Sequence, residues 1–139
     1  MDISACIANR RGEHTVHLRT GAREHSLTIP SHAAGLGSGT NGGELLFLAL
    51  ATCYCNDIYR EAGKRGIEVE RVQVEVTGEF GSEGEGARNI RYSASVDARA
   101  PREEVLELMR HTDSVAEIHN TLRQASPVVL AECEVREIA

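Results

Sequence analysis

The stretch NGGELLFLALATCYCNDIYREAGKRG, residues 41–66, decides the fold of this chain. Its first half contains the run LLFLALA, residues 45–51, which leaves no polar face over almost two helical turns. A helix that is apolar on all sides lies inside a protein, so we expect this half to be buried. Charged and amide side chains follow only from Asn56 onward and are expected to emerge into solvent or onto a polar partner. The apolar run is well short of the roughly 20 residues that a membrane span needs.

The bulk composition predicts one acidic domain without polyanionic partners. A chain of 139 residues is long enough to bury a core without disulfide bonds, so we expect a single domain over residues 1–139. Its formal net charge is −6, and its Lys and Arg residues form no basic run. We therefore expect no nucleic-acid partner and no binding to an anionic membrane.

The amino terminus and the cysteines favour a cytoplasmic location. Met1 is followed by Asp2 and a strand-like stretch, and no signal peptide is visible. In a reducing compartment, four cysteines are expected to be free thiols. The cysteines and the six histidines have no metal-binding spacing, so we predict neither a metal nor a cofactor.

Alternation of apolar and polar residues predicts the strands, which are residues 3–8, 14–20, 24–30, 67–80, 90–98 and 128–138. The alternation in residues 67–80 changes phase near Glu70 and Arg71, which predicts a bulge there. The Gly-rich and Ser-rich residues 31–43 are expected to form a loop that leads into the long helix.

Two further helices are predicted between the last strands. Pro101 and the acidic residues after it mark the start of the first. Ser114 and Glu117 fit the S-x-x-E pattern of a capping box and predict a second, short helix that ends near Gln124. The resulting order, βββ-α-ββ-αα-β, belongs to the α+β class.

Cys53 is the candidate reactive group in the long helix. Cys55 is two residues further on and about 200° round the helix axis, so the two thiols cannot pair. The helix dipole could lower a thiol pKa only within the first helical turn, and Cys53 lies beyond that turn. A reactive Cys53 therefore needs a cation from elsewhere, for which the candidates are Arg10, Arg11, Arg19 and Arg23. The alternative is that both cysteines are small buried apolar residues.

Two other polar residues also allow a structural interpretation. Glu44, just inside the helix start, either complements the helix dipole or holds one of the strand arginines. His119 follows an apolar pattern and is expected to be a core or interface residue with its hydrogen bonds satisfied, and not a catalytic base.

Residues 39–80 resemble the OsmC/Ohr family, whose central helix carries a pattern close to P-x-E-L-L-x-x-A-L-A-x-C. The matching positions are Glu44, Leu45, Leu46, Ala49, Leu50, Ala51 and Cys53. Residues 116–128, AEIHNTLRQASPV, resemble the second signature of the family, C-P-v-x-n-T-L followed by a short gap and P-V. The resemblance implies an OsmC-like fold with a long buried central helix. It also implies an intertwined homodimer with the two long helices back to back at its centre.

The same resemblance implies roles for particular residues. The peroxidatic cysteine of the family falls on Cys53, whereas the resolving cysteine falls on Ala116, with Glu117 in place of the following proline. The carboxylate at the helix start falls on Gly43, one position before Glu44.

The early-strand arginine of the peroxidases has its counterpart in Arg11, with Arg10 as the alternative. The implied reaction is attack of the Cys53 thiolate on the O–O bond of an organic hydroperoxide, which gives a sulfenic acid. Without a cysteine at residue 116, an external thiol has to complete the cycle.

Two functional hypotheses follow from the resemblance. In the first, the chain is an OsmC-like oxidative-stress protein and a one-cysteine hydroperoxide reductase, with Cys53, Arg11 and Glu44 as catalytic residues. In the alternative, it is a non-catalytic member of the fold that binds a small apolar ligand in the dimer cleft, and Cys53 is a packed core residue.

Overall fold

The first alternating stretches form an antiparallel meander of three strands. They are β1 (Ile3–Arg10), β2 (Glu13–Thr20) and β3 (Arg23–Ser26), and the last is shorter than predicted. Two-residue turns join them, since Arg10 pairs with Glu13 and Thr20 with Arg23. Each turn contains a glycine with positive φ, +77° at Gly12 and +57° at Gly21, the conformation that tight hairpin turns require.

The computed structural model describes residues 1–138, which fall into two compact units that divide between Leu48 and Ala49. In the first unit, the predicted loop after β3 is held by backbone and side-chain hydrogen bonds. The Asn9 side chain accepts from the Gly37 N–H at 3.0 Å and donates to the Gly37 carbonyl at 3.3 Å. The Gly12 N–H donates to the Gly35 carbonyl at 2.6 Å, so the loop is fixed against the β1–β2 turn.

The long helix, α1, runs from Gly42 to Arg65 and begins with a capping box. The Glu44 N–H donates to Asn41 Oδ1 at 2.8 Å, and the Asn41 N–H donates to Glu44 Oε1 at 3.3 Å. This reciprocal pair satisfies two backbone groups that the first helical turn leaves without partners. No helix among residues 1–138 has both the length and the hydropathy to span a membrane.

Burial along α1 differs from the prediction. The fully apolar start is only partly covered, and Leu48 is 55% exposed. The buried residues lie further along, at Leu50, Tyr54, Asp57, Ile58, Glu61 and Ala62. Of the two expectations for the polar half, solvent or a polar partner, solvent is wrong for Asp57 and Glu61, because the rest of the second unit packs on that half. Both carboxyl groups are buried and contact Arg60.

The second unit packs α1 and α2 (Arg102–Val115) on a hairpin of β4 (Glu68–Phe80) and β5 (Ala87–Arg99). Its core cluster consists of Tyr54, Ile58, Ala62 and Leu108. The inward side chains of the hairpin cover this cluster, namely Val69, Val72, Val74, Tyr92, Ala94 and Val96. The register shifts between Val69 and Arg71, which confirms the bulge at Glu70 and explains why Val69 and Val72 both face inward.

The last helix, α3, runs from Glu117 to Arg123 and begins without a capping box. The predicted box at Ser114 is wrong, because α2 continues through Val115 and the Ser114 hydroxyl donates to the His111 carbonyl at 2.6 Å. Ala116 is the residue between the two helices, is fully buried and makes no side-chain cap. The Glu117 carboxylate is therefore available for other partners.

The α+β class and the order βββ-α-ββ-αα are confirmed, but the final predicted strand is not formed in the part of the chain that is described. Residues 126–138 have no regular secondary structure, and Val128 is 97% exposed. A strand needs a neighbour for its backbone hydrogen bonds, and no described strand pairs with these residues.

The core cluster predicts where apolar truncation is costly. Leu108→Ala removes a fully buried side chain from the cluster and should lower the free energy of unfolding by about 2–5 kcal/mol in urea titrations. The control is Leu36→Ala at a side chain that is more than half exposed, for which a change within about 0.5 kcal/mol is expected. Equal losses in both variants would contradict this assignment of the core.

Candidate functional site

Cys53 lies on α1 at a partly exposed position, four residues before Asp57. This spacing puts the two side chains on one face of the helix, and the Cys53 thiol donates to Asp57 Oδ2 at 3.5 Å. Glu117, the first residue of α3, places its Oε2 atom 3.8 Å from the same sulfur. The thiol of the motif cysteine is therefore bounded by two carboxyl groups.

Arg60 ties the two carboxyl groups together. Its Nη1 atom lies 3.0 Å from Asp57 Oδ1 and 3.1 Å from Glu117 Oε1. Each carboxyl group thus uses one oxygen for Arg60 and turns the other toward Cys53. We call Cys53, Asp57, Arg60 and Glu117 the thiol cluster.

A buried carboxylate anchors Arg60 from its other side. Glu61 Oε1 accepts from Arg60 Nε at 3.2 Å and from Lys64 Nζ at 3.1 Å. His111 Nε2 lies 3.6 Å from Glu61 Oε2. The Lys64 hydrogen bond is the largest influence that holds the pKa of Glu61 below its ordinary value. A buried carboxylate needs such partners, since an unpaired buried charge is strongly destabilising.

The surroundings of Cys53 favour the neutral thiol. Burial raises the pKa of Cys53 above its ordinary value, the negative charges of Asp57 and Glu117 raise it further, and the Ile118 backbone N–H opposes them. The sequence leaves open an activating cation or an apolar wall around the sulfur. The structure instead places acid groups beside it, with Arg60 on their other oxygens.

The two carboxyl groups have pKa values shifted in opposite directions. Burial, then the hydrogen bond and charge of Glu117, raise the pKa of Asp57. A backbone N–H and the hydrogen bonds from Asp57 and Arg60 lower the pKa of Glu117. Two carboxyl groups in contact share protons, and within this pair Asp57 is the one that holds a proton more readily.

The other predicted site residues have structural partners in the first unit. The Arg11 guanidinium donates to the Ala34 carbonyl at 3.1 Å, and Arg10 pairs with Glu13 at 3.5 Å. Glu44 completes the capping box with Asn41. Catalytic roles for Arg11 and Glu44 stay predictions.

Three members of the thiol cluster were missed as site residues in the sequence. Asp57 and Arg60 belong to the polar half-helix that the sequence predicts to face solvent or a polar partner, and Glu117 belongs to the predicted capping box. The spacing from Cys53 to Asp57, and from Asp57 to Arg60, was the signal that could have found two of them, because residues three or four apart share a helix face.

The donor atoms of Cys53, Asp57 and Glu117 lie within 4.8 Å of one another, close enough to hold a metal ion. However, Arg60 already ion-pairs with both carboxyl groups of this cluster. We therefore treat it as an ion-paired acid cluster beside a thiol.

His119, a second polar residue of the second unit, lies in an aromatic cluster beside a cavity of about 280 Å³. His119 is 4% exposed, and its ring contacts those of Tyr54 and Tyr92, with centroids 6.1 Å and 4.8 Å away. Neither ring nitrogen has a hydrogen-bond partner within residues 1–138. Leu50, Ile90, Leu122 and Arg123 also line this cavity. His119 is thus buried as its apolar pattern predicts, but its ring nitrogens lack the hydrogen bonds expected of a satisfied core histidine.

Comparison with known proteins identifies the family. The profile of the family described as OsmC-like protein matches residues 35–131, which contain both helix motifs and Cys53. The chain belongs to the OsmC-like protein family. A comparison with curated protein sequences gives no significant match.

Solved OsmC-like structures share the fold of this chain. The OsmC-like protein from Mycoplasma pneumoniae is 21% identical, with a TM-score of 0.61 over 88% of this chain and 86% of that one. An organic hydroperoxide resistance protein from Elizabethkingia anophelis is 18% identical, with a TM-score of 0.57 over 88% and 89%. The organic hydroperoxide resistance protein OhrB of Bacillus subtilis is also 18% identical, with a TM-score of 0.54 over 88% and 91%.

Burial of His119 predicts a pH-dependent stability. Burial, then the charge of Arg123, lower the pKa of His119, so the folded protein favours the neutral ring. As the pH falls below about 6.5, the unfolded chain binds a proton that the folded chain does not, and stability falls. The loss is at most about 1.4 kcal/mol per pH unit for this group. It should appear as a larger decrease in the free energy of unfolding between pH 7.5 and 5.5 for the parent protein than for His119→Asn.

The exposed His25 on β3 provides the matched control. His25→Asn should keep the pH dependence of the parent protein. Parallel curves for the parent protein and His119→Asn would show that His119 titrates alike in the folded and unfolded states and would contradict the prediction.

Proposed function

We propose that this protein acts in the oxidative-stress response as a one-cysteine hydroperoxide reductase that uses Cys53 and an external thiol. The observation that carries the proposal is the position of Cys53 at the end of the family's helix motif. The residue is partly exposed, and its sulfur contacts carboxyl groups from α1 and α3. Structural relatives that are named for organic hydroperoxide resistance support this class of substrate.

The proposed reaction takes two electrons from the Cys53 sulfur. An S–O bond forms to the outer oxygen of the hydroperoxide, the O–O bond breaks, and the alkoxide takes a proton to leave as an alcohol. The sulfenic acid then condenses with an external thiol to give a mixed disulfide and water. A second external thiol releases Cys53 as a thiol, so the reductant is converted into its disulfide.

An external reductant is proposed because residue 116, where the family motif has its second cysteine, is a fully buried alanine. The cysteines Cys6, Cys55 and Cys133 are free thiols in the structure, and Cys55 is turned about 200° from Cys53 on the helix.

We further propose that the protein is a single domain over residues 1–139 and forms a homodimer in the cytoplasm. The partly exposed apolar start of α1 and the exposed Ile3 and Ile7 of β1 support an apolar interface between copies. In this assembly Arg11 and Glu44 are the candidates for a cation near Cys53 and for the carboxylate that orients it. The alternative of a non-catalytic apolar-ligand protein is not favoured by the relatives named for hydroperoxide resistance.

Stopped-flow reaction of the reduced protein with an alkyl hydroperoxide tests the proposed activity. Loss of the Cys53 thiol should be faster than the reaction of a free thiol at the same pH, and slower with hydrogen peroxide than with the alkyl hydroperoxide. Cys53→Ser should reduce the rate to that of the three remaining free thiols, and Cys55→Ser should retain the rate of the parent protein. A parent protein that reacts no faster than a free thiol would end the proposal.

Restoring the second cysteine of the family motif tests the geometry at residue 116. The carboxylate of Glu117 and the backbone N–H of Ile118 both reach the Cys53 sulfur. Ala116→Cys should therefore give an intrachain disulfide with Cys53 after one equivalent of hydroperoxide, seen by mass spectrometry as the loss of two hydrogen atoms. Ala116→Cys combined with Cys53→Ser is the control and should keep its thiol. Oxidation of Cys53 without this disulfide would contradict the proposed placement.

A further inference from the structure

We propose that Asp57 is a catalytic proton relay for Cys53, which accepts the thiol proton and delivers it to the departing alkoxide, while Glu117 and Arg60 hold the relay in position. This inference rests on the proposed hydroperoxide reaction and names residues that the family motif does not contain. Asp57 is suited to the role because its Oδ2 atom already accepts the Cys53 S–H at 3.5 Å.

The need for a relay follows from the proton balance of the reaction. The thiol begins with a proton on sulfur, and the leaving alkoxide is a stronger base than either a thiolate or a carboxylate. As the S–O bond forms, the sulfur proton moves to Asp57, and as the O–O bond breaks, the same proton passes to the alkoxide oxygen. The sum is Cys–SH plus ROOH giving Cys–SOH plus ROH, with no net change at Asp57.

The groups packed around the sulfur determine which atoms can accept this proton. From α1, Asp57 faces the thiol and Arg60 binds the far oxygen of Asp57. From α3, Glu117 lies 3.8 Å from the sulfur and the Ile118 backbone N–H points at it. His111 on α2 lies against Glu61 behind Arg60. The carboxyl oxygens of Asp57 and Glu117 are therefore the nearest proton acceptors for the thiol.

Asp57 differs from Glu117 in burial, which decides between them. The Asp57 side chain is 8% exposed and fixed by Arg60 on the same helix, whereas the Glu117 side chain is 64% exposed. A carboxylate that is buried beside a second carboxylate is the stronger base of the two, and it exchanges protons less readily with water. We therefore assign proton transfer to Asp57 and positioning to Glu117.

Two reactions of the same thiol separate a relay from a purely electrostatic effect. Alkylation by iodoacetamide needs the thiolate but no protonation of the leaving iodide, whereas hydroperoxide reduction needs both steps. Asp57→Asn removes a negative charge beside the sulfur, so alkylation of Cys53 at pH 7 should become several-fold faster, about tenfold for each unit by which the thiol pKa falls. The hydroperoxide reaction should become about tenfold slower or more, because the relay is lost.

The measurements use the full-length protein in a Cys55→Ser background with a chelator present. Glu75→Gln, the same charge change on an exposed residue of β4, is the control and should alter neither rate. Glu117→Gln removes a negative charge but keeps an amide oxygen that can accept from Arg60, so Asp57 stays in position and both rates should rise. This variant also tests the cluster should Asp57→Asn fail to fold, which circular dichroism would reveal.

Several outcomes would overturn the relay. An Asp57→Asn protein that is faster in both reactions has lost only a repelling charge, and one that is equally slower in both has lost structure. Slower hydroperoxide reduction by Glu117→Gln would move the relay to Glu117. A parent protein without hydroperoxide reactivity would overturn the proposed function itself. This failure differs from failure of the relay, because Cys53 of the parent protein then stays unmodified before any Asp57 variant is compared.

Discussion

Packing of the second half of α1 against the β4–β5 hairpin forces charged side chains into a nearly closed space. Ile58 and Ala62 belong to the core cluster, so the neighbouring positions Asp57 and Glu61 are carried inward with them. Carboxylates that are removed from water need partners with opposite charge or hydrogen-bond donors. Arg60, which lies between Asp57 and Glu61 on the helix, supplies both a positive charge and hydrogen-bond donors, and it also contacts α3 through Glu117.

This constraint links the fold to the chemistry of Cys53. The sulfur is one helical turn from Asp57, so any arrangement that buries Asp57 also brings a carboxyl group to the thiol. The first residue of α3 adds a second carboxyl group from a separate element. Burial and the charges of these two carboxyl groups raise the pKa of the Cys53 thiol above its ordinary value.

Most of the fold was predictable because its signals are local. Alternation gave the strands, including the change of phase at Glu70, and the glycines at the hairpin turns marked where the chain reverses. The prediction of the final strand failed because alternation in residues 128–138 cannot supply a hydrogen-bonded neighbour. The prediction of the start of α3 failed because Ser114 and Glu117 fit a capping pattern, whereas α2 continues past Ser114.

The site was less predictable than the fold, and the reason is physical. Cys53 could be found from a motif, but Asp57 and Arg60 are charged residues, and charged residues on a helix usually face water. Only the packing partners of α1 determine that Asp57 faces inward. The location of Glu117 beside Cys53 depends on where α2 ends and α3 begins, and no periodic pattern in the sequence specifies this.

The joint between α2 and α3 links the burial of one small side chain to the position of the second carboxyl group. Ala116 is fully buried between these two helices, and the next residue, Glu117, is the first of α3. Because Glu117 directly follows Ala116 in the chain, a change at residue 116 is passed on to the carboxyl group beside Cys53. A residue with no polar atoms in its side chain thus takes part in positioning a charged neighbour of the thiol.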